Sequence, residues 1–100
     1  MTTELLSKAV HALKNISINF RIDYFMDKGS CIVRGIFLND PDDVSKVKSL
    51  LDSEILKSIR FNKSKSWYLG DEKDVIYMQL KKKINMSIEE LEGYQVSNYA

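Results

Sequence analysis

Residues 16–38 read ISINFRIDYFMDKGSCIVRGIFL, and the alternation of their side chains decides the fold class. Ile16, Ile18, Phe20, Ile22, Tyr24 and Met26 alternate with Ser17, Asn19, Arg21, Asp23, Phe25 and Asp27. Strand side chains change face at every residue, so the spacing predicts one long strand with a buried face and a polar face that only Phe25 interrupts. Asp27-Lys28-Gly29-Ser30 is a turn sequence, because Gly29 adopts a positive φ at no steric cost. Cys31 to Leu38 returns as a second strand that is apolar on both sides except at Arg34. Its alternation puts Cys31, Val33 and Phe37 on one face and Ile32, Ile36 and Leu38 on the other. Such a strand lies inside a sheet or has one face covered by a partner.

Upstream of this pair, Leu6, Ala9, Val10 and Leu13 repeat at helical spacing, which predicts a helix over Thr3–Lys14 capped by Thr2 or Thr3. Downstream, Asp40 is placed as an N-cap and Pro41 fits a first helical turn, where its missing N–H costs nothing. Val44, Val47, Leu51 and Ile55, widened by Leu50, then form a stripe that carries a helix to Leu56. The alternative is a break at Asp52-Ser53, after which Ile59-Arg60-Phe61 begins a strand. Ser66–Leu69 reads as a short strand, Gly70–Lys73 as a turn and Asp74–Lys82 as another strand. Ser87-Ile88-Glu89-Glu90 is a capping box that starts a last helix, with Met86 and Leu91 as its hydrophobic staple. Gly93 is expected to end that helix early and to leave residues 94–100, with Tyr94 and Tyr99, as a tail or a second short turn. The order α-β-β-α-β-β-α, with strand pairs joined by tight turns, predicts one α+β domain over residues 1–100. Its antiparallel sheet has four to five strands, with helices on one face.

Composition narrows the function. Of 100 residues, 44% are apolar and 29% charged, the balance of a chain that builds a core. Lys and Arg number 15 against 14 Asp and Glu, a net of +1 that excludes a strongly basic nucleic-acid coat and an acidic mimic of DNA alike. Cys31 is the single cysteine, which excludes an internal disulfide and a cysteine-based zinc site. No basic leader precedes an apolar run, and no stretch approaches the roughly 18–20 residues of a membrane span. The expectation is a cytoplasmic protein without membrane contact. Lys outnumbers Arg 12 to 3, a bias associated with AT-rich coding sequences such as those of phages and mobile elements.

Chemistry finds little support. His11, the only histidine, lies off the apolar stripe of its helix and reads as a solvated side chain. Cys31 reads as a small buried hydrophobe. Asp40, Asp42 and Asp43 lack the spacing, glycine and distal glutamate of a calcium loop, and helix capping accounts for them. The four glycines are isolated, so no phosphate loop exists. The expectation is no catalytic residue, no metal and no cofactor.

Two surfaces remain. From Lys57 to Lys83 eight basic residues stand against three acidic ones, a local +5. Lys57, Arg60, Lys63, Lys65, Lys81, Lys82 and Lys83 interleave with Phe61, Trp67 and Tyr68, a combination that grips phosphates and stacks bases, or meets an acidic protein. The competing reading is a lysine-guarded sheet edge. The second surface is an apolar patch of Phe25, Val33 and Phe37 on the sheet side opposite the core, offered to a protein partner or a second copy of the chain. These features point to a small protein-binding module that acts by occlusion, as inhibitors, immunity proteins and phage antagonists do. The alternative is a nucleic-acid-binding accessory protein that uses residues 57–83.

Overall fold

A computed structural model describes residues 2–68 and 70–95. The chain runs α1 (Thr3–Asn15), β1 (Phe20–Asp27), β2 (Ser30–Leu38), a 3-10 turn (Pro41–Asp43), α2 (Val44–Leu50), α3 (Ser53–Lys57), β3 (Ile59–Tyr68), β4 (Asp71–Met86) and α4 (Ile88–Gln95). The four strands form one antiparallel sheet in the order β1-β2-β4-β3. Helices and sheet make the expected α+β domain. Leu6, Ala9, Val10 and Leu13 of α1, Val47 of α2, Ile55 of α3 and Leu91 of α4 all join one core with a single face of the sheet. Apolar side chains removed from water contribute about 1.5–3 kcal/mol each, which is what presses these helices onto that face.

The first strand is shorter than the alternation predicts. The helix continues to Asn15 and ends in a left-handed residue, Ser17, at φ 56°. The Ser17 N–H donates to the Lys14 carbonyl at 3.1 Å and the Ile18 N–H to the Leu13 carbonyl at 3.1 Å. This is the two-bond C-terminal cap usually closed by glycine, and it seats Ile18 in the core without a strand. At the other end of β1 the alternation holds but burial fades, with Tyr24 39% and Met26 48% exposed. The turn beyond has positive φ at both Lys28 and Gly29, the mirror-image geometry that matches strand twist.

The second helix follows the alternative reading. Leu51 is extended at ψ 144°, breaking the run into α2 and α3, and β3 starts at Ile59. The Ser49 hydroxyl donates to the Lys46 carbonyl at 2.8 Å and competes with the helical ladder just before the break. Leu50, expected to widen the buried stripe, is instead 50% exposed. β3 and β4 stay paired as far as Tyr68 and Asp71, so Asp71–Lys73 belong to the strand and not to the turn. The Ser87 hydroxyl caps α4 by accepting from the Glu90 N–H at 3.2 Å. Gly93 does not end α4, which runs to Gln95 and packs Tyr94 against the core. Residues 96–100, including Tyr99, lie outside the described residues.

Candidate functional site

The sheet has a second face, and among the described residues it carries no helix. Register places its side chains in three rows across the strands: Arg21, Phe37, Tyr77 and Asn62; Asp23, Gly35, Gln79 and Arg60; Phe25, Ile32 and Asn85. The rows owe their composition to one residue. Arg34 is an extra residue of β2 against β1, and against β4 it stands opposite the four residues Leu80–Lys83. A bulge of this kind reverses the side-chain alternation along the strand. Cys31 and Val33 therefore share the core face with Ile36 and Leu38, and Val33 is wholly buried there. The expected placement of Val33 beside Phe25 and Phe37 is corrected by that reversal. Phe25 and Phe37 do lie on the second face, half-buried.

Asp23 organises the centre of this face. One oxygen accepts from the Tyr77 hydroxyl at 2.6 Å, and the other accepts from Arg34 Nη2 at 2.9 Å. Tyr77 reaches it by lying over Gly35. A Cβ at that position would stand 2.6 Å from the Tyr77 ring and 2.7 Å from the Met78 carbonyl oxygen. Burial raises the Tyr77 pKa above its ordinary value, and the hydrogen bond to Asp23 and the nearby carboxylate charge raise it further, against a smaller opposing pull from Arg34.

Cations cover the aromatic rings on either side. Arg34 lies 4.9 Å and Lys83 5.6 Å from the Phe25 centroid, while Arg21 lies 5.1 Å from that of Phe37. Phe37 and Tyr77 pack at 4.7 Å between centroids. Arg21 also donates to Asn39 Oδ1 at 3.2 Å and to Ser66 Oγ at 2.7 Å. That last bond joins the two edge strands, β1 and β3, across two intervening strands. The tip of the β3–β4 hairpin therefore curls over this face and makes it concave. Val75, on the same face and outside the main core, is buried beneath the curl.

The basic segment divides between three places. Ile59 pairs with Leu80 and the Lys81 N–H donates to the Ser58 carbonyl at 2.9 Å, so Lys57 and Arg60 gather at the same end of the sheet as Lys81, Lys82 and Lys83. Lys63, Lys65 and Trp67 point to the helix side of β3, opposite Ile76, Asp74 and Glu72. Phe61 is half-buried against the core with Lys48 Nζ 5.0 Å from its ring. Tyr68 closes β3 opposite Asp71. The acids Asp71, Glu72 and Asp74 thus face the tip of β3, and the positive charge left over sits nearer its start. Among the described residues, none of Lys57, Arg60, Lys63, Lys65, Lys81 or Lys82 is ion-paired.

The other reactive candidates lie apart. His11 is exposed on α1, and the buried Cys31 thiol donates to Met26 Sδ at 3.4 Å. Asp40 caps the 3-10 turn, accepting from the Asp42 N–H at 2.9 Å. Among the described residues no three His, Cys, Asp or Glu side chains gather into a metal-binding group. No helix among them is long and apolar enough to cross a membrane. Sequence reasoning missed Asp23, Tyr77 and Gly35 as a unit, since Asp23 and Tyr77 are 54 residues apart. The sequence marks the site through Phe25 and Phe37, and through Arg34 as the lone charge in an apolar strand. The chain matches no family model, no curated protein and no solved structure.

Proposed function

We propose that the protein is a small non-enzymatic module of the cytoplasm that binds another protein and acts by occluding it. The observation that supports this reading is the concave second face, on which Phe25, Phe37 and Tyr77 are held in fixed positions by Asp23, Arg34, Arg21 and Lys83. Tyr, Phe and Arg are the side chains enriched at protein interfaces, and side chains already ordered lose little entropy on binding. The ion pair and the cation–ring stacks supply that order in the free protein.

The runner-up is a nucleic-acid accessory protein, which the gathering of Lys57, Arg60 and Lys81–Lys83 at one end of the sheet favours. Against it, of the rings interleaved with these charges Phe61 packs on the core beneath Lys48, and Trp67 lies at the opposite end of β3 from the cluster, so cations and an open ring do not converge. Affinity capture from the native host, with Phe25→Ser and Phe37→Ser variants beside the wild type and with nuclease treatment, separates the classes. A protein retained by the wild type, lost by both variants and indifferent to nuclease is the expected result. Capture abolished by nuclease, together with a gel shift at about 50 mM salt that fades steeply as salt rises, replaces the reading with the nucleic-acid one.

A further inference from the structure

We infer that the free edge of β3 is a second binding element, which accepts an extended acidic segment of a protein partner as a fifth strand. The inference rests on the protein-binding reading for its class of partner, but on a different surface. Among the described residues, β3 ends the sheet and pairs only with β4. The Lys81–Ser58 bond falls in the same register as every β3–β4 pair, so the even-numbered residues of β3 spend their backbone groups on β4. The N–H and C=O groups of Ile59, Phe61, Lys63, Lys65 and Trp67 consequently point away from the sheet.

Natural sheets blunt such edges by bulges, prolines, short length or charged side chains, lysine above all. β3 has ten residues, no proline and an unbroken register, whereas the other edge strand, β1, shifts register at Asp23/Tyr24. Of these devices β3 carries only its lysines, which repel a second basic edge and set the sign of an incoming strand as acidic. The outward backbone groups belong to the same residues whose side chains line the helix side, where unpaired Lys63 and Lys65 stand between Phe61 and Trp67. A partner strand that turns its acidic residues to that side, opposite the lysines, and its apolar residues to the other complements that row. A second copy pairing through β3 brings Lys63 and Lys65 beside their own counterparts, which like-charge repulsion opposes.

The test uses a peptide of about eight residues alternating Glu and Val, a Lys-Val counterpart, a Glu-Val peptide interrupted by proline, and an oligothymidylate of similar charge. The expected result is that the Glu-Val peptide binds at least about tenfold more tightly than each of the other three. Lys65→Ala weakens it about threefold through charge. Lys65→Pro, which removes an outward N–H and leaves the β4 ladder intact, weakens it about tenfold further. Circular dichroism confirms that both variants are folded, and the proline-interrupted peptide makes the same comparison without touching the protein. Equal binding of the interrupted peptide or the oligothymidylate shows attraction by charge alone and overturns the strand-addition site. Absence of Glu-Val binding also overturns it, and leaves the protein-binding reading to be judged by its own sheet-face variants.

Discussion

Tyr77 on β4 donates its hydroxyl hydrogen to Asp23 on β1 at 2.6 Å, passing over Gly35 of the intervening strand β2. Three strands are tied by one bond, and the bond exists because the middle strand has no side chain where the ring lies. The same carboxylate holds Arg34, whose insertion reversed the alternation of β2. Gly35 and Arg34 are neighbours with opposite tasks: one clears space on the second face, the other fixes which side chains reach it.

Gly35→Ala follows directly. The added methyl meets the Tyr77 ring at 2.6 Å and the Met78 carbonyl oxygen at 2.7 Å, and a backbone oxygen in a sheet cannot swing aside. Overpacking of this kind costs about 1–3 kcal/mol, seen as a lower denaturation midpoint at unchanged m-value. In a Tyr77→Phe background the penalty persists, because the carbonyl contact remains. A Gly35→Ala protein as stable as the wild type removes the close approach from the account.

The raised Tyr77 pKa makes stability depend on alkaline pH. The folded state binds the phenolic proton more tightly than the unfolded chain, so the contribution is fully present below about pH 10, the ordinary tyrosine value, and is lost as pH rises from there toward the folded value. Wild type and Tyr77→Phe are to be unfolded across that range. Their difference in stability narrows above about pH 10, and the lysines common to both cancel. In Asp23→Asn the loss is smaller, since burial persists as the leading cause but the carboxylate charge is gone. A difference that stays constant with pH contradicts the sign argued.

Ser17→Gly raises stability. Ser17 holds φ 56°, where a Cβ costs about 1–2 kcal/mol and glycine costs nothing beyond its greater freedom in the unfolded chain. The net expectation is a gain of about 0.5–1 kcal/mol in chemical denaturation. This residue also explains what was legible in the sequence. Residues 16–19 alternate as a strand does, and only the missing glycine hid the helix cap. The element order, the α1 stripe, the 27–30 turn and the Ser87 cap rest on local chemistry and could be read. The Arg34 bulge could not, because an extra residue is visible only against its partner strands, and no local pattern brings Asp23 to Tyr77.

Phe20→Ala and Met26→Ala test the same limit on one strand. The alternation puts both on the buried face, yet Phe20 is 2% exposed and Met26 48%. Phe20→Ala costs about 3–5 kcal/mol through lost burial and the cavity left behind. Met26→Ala costs under about 1 kcal/mol, although it also removes the acceptor of the Cys31 thiol. Similar losses for the two would mean that the core extends to the end of β1.

Trp67 provides the last prediction, because it is the single tryptophan, 70% exposed and near the tip of β3. Emission from the folded protein is therefore that of a solvated indole, readily quenched by iodide, and unfolding by denaturant moves its maximum little. Trp67→Ala changes stability by no more than about 0.5 kcal/mol, as expected for a side chain away from core, caps and strained backbone. A strand added to the β3 edge lays its side chains beside those of Lys65 and Trp67, and the indole leaves water. Titration with the Glu-Val peptide then shifts the emission to the blue and lowers iodide quenching in step with binding, while the Lys-Val peptide produces neither change. Binding of the acidic peptide with an unaltered indole spectrum places it elsewhere, toward Lys57 and Lys81–Lys83 at the far end of the strand.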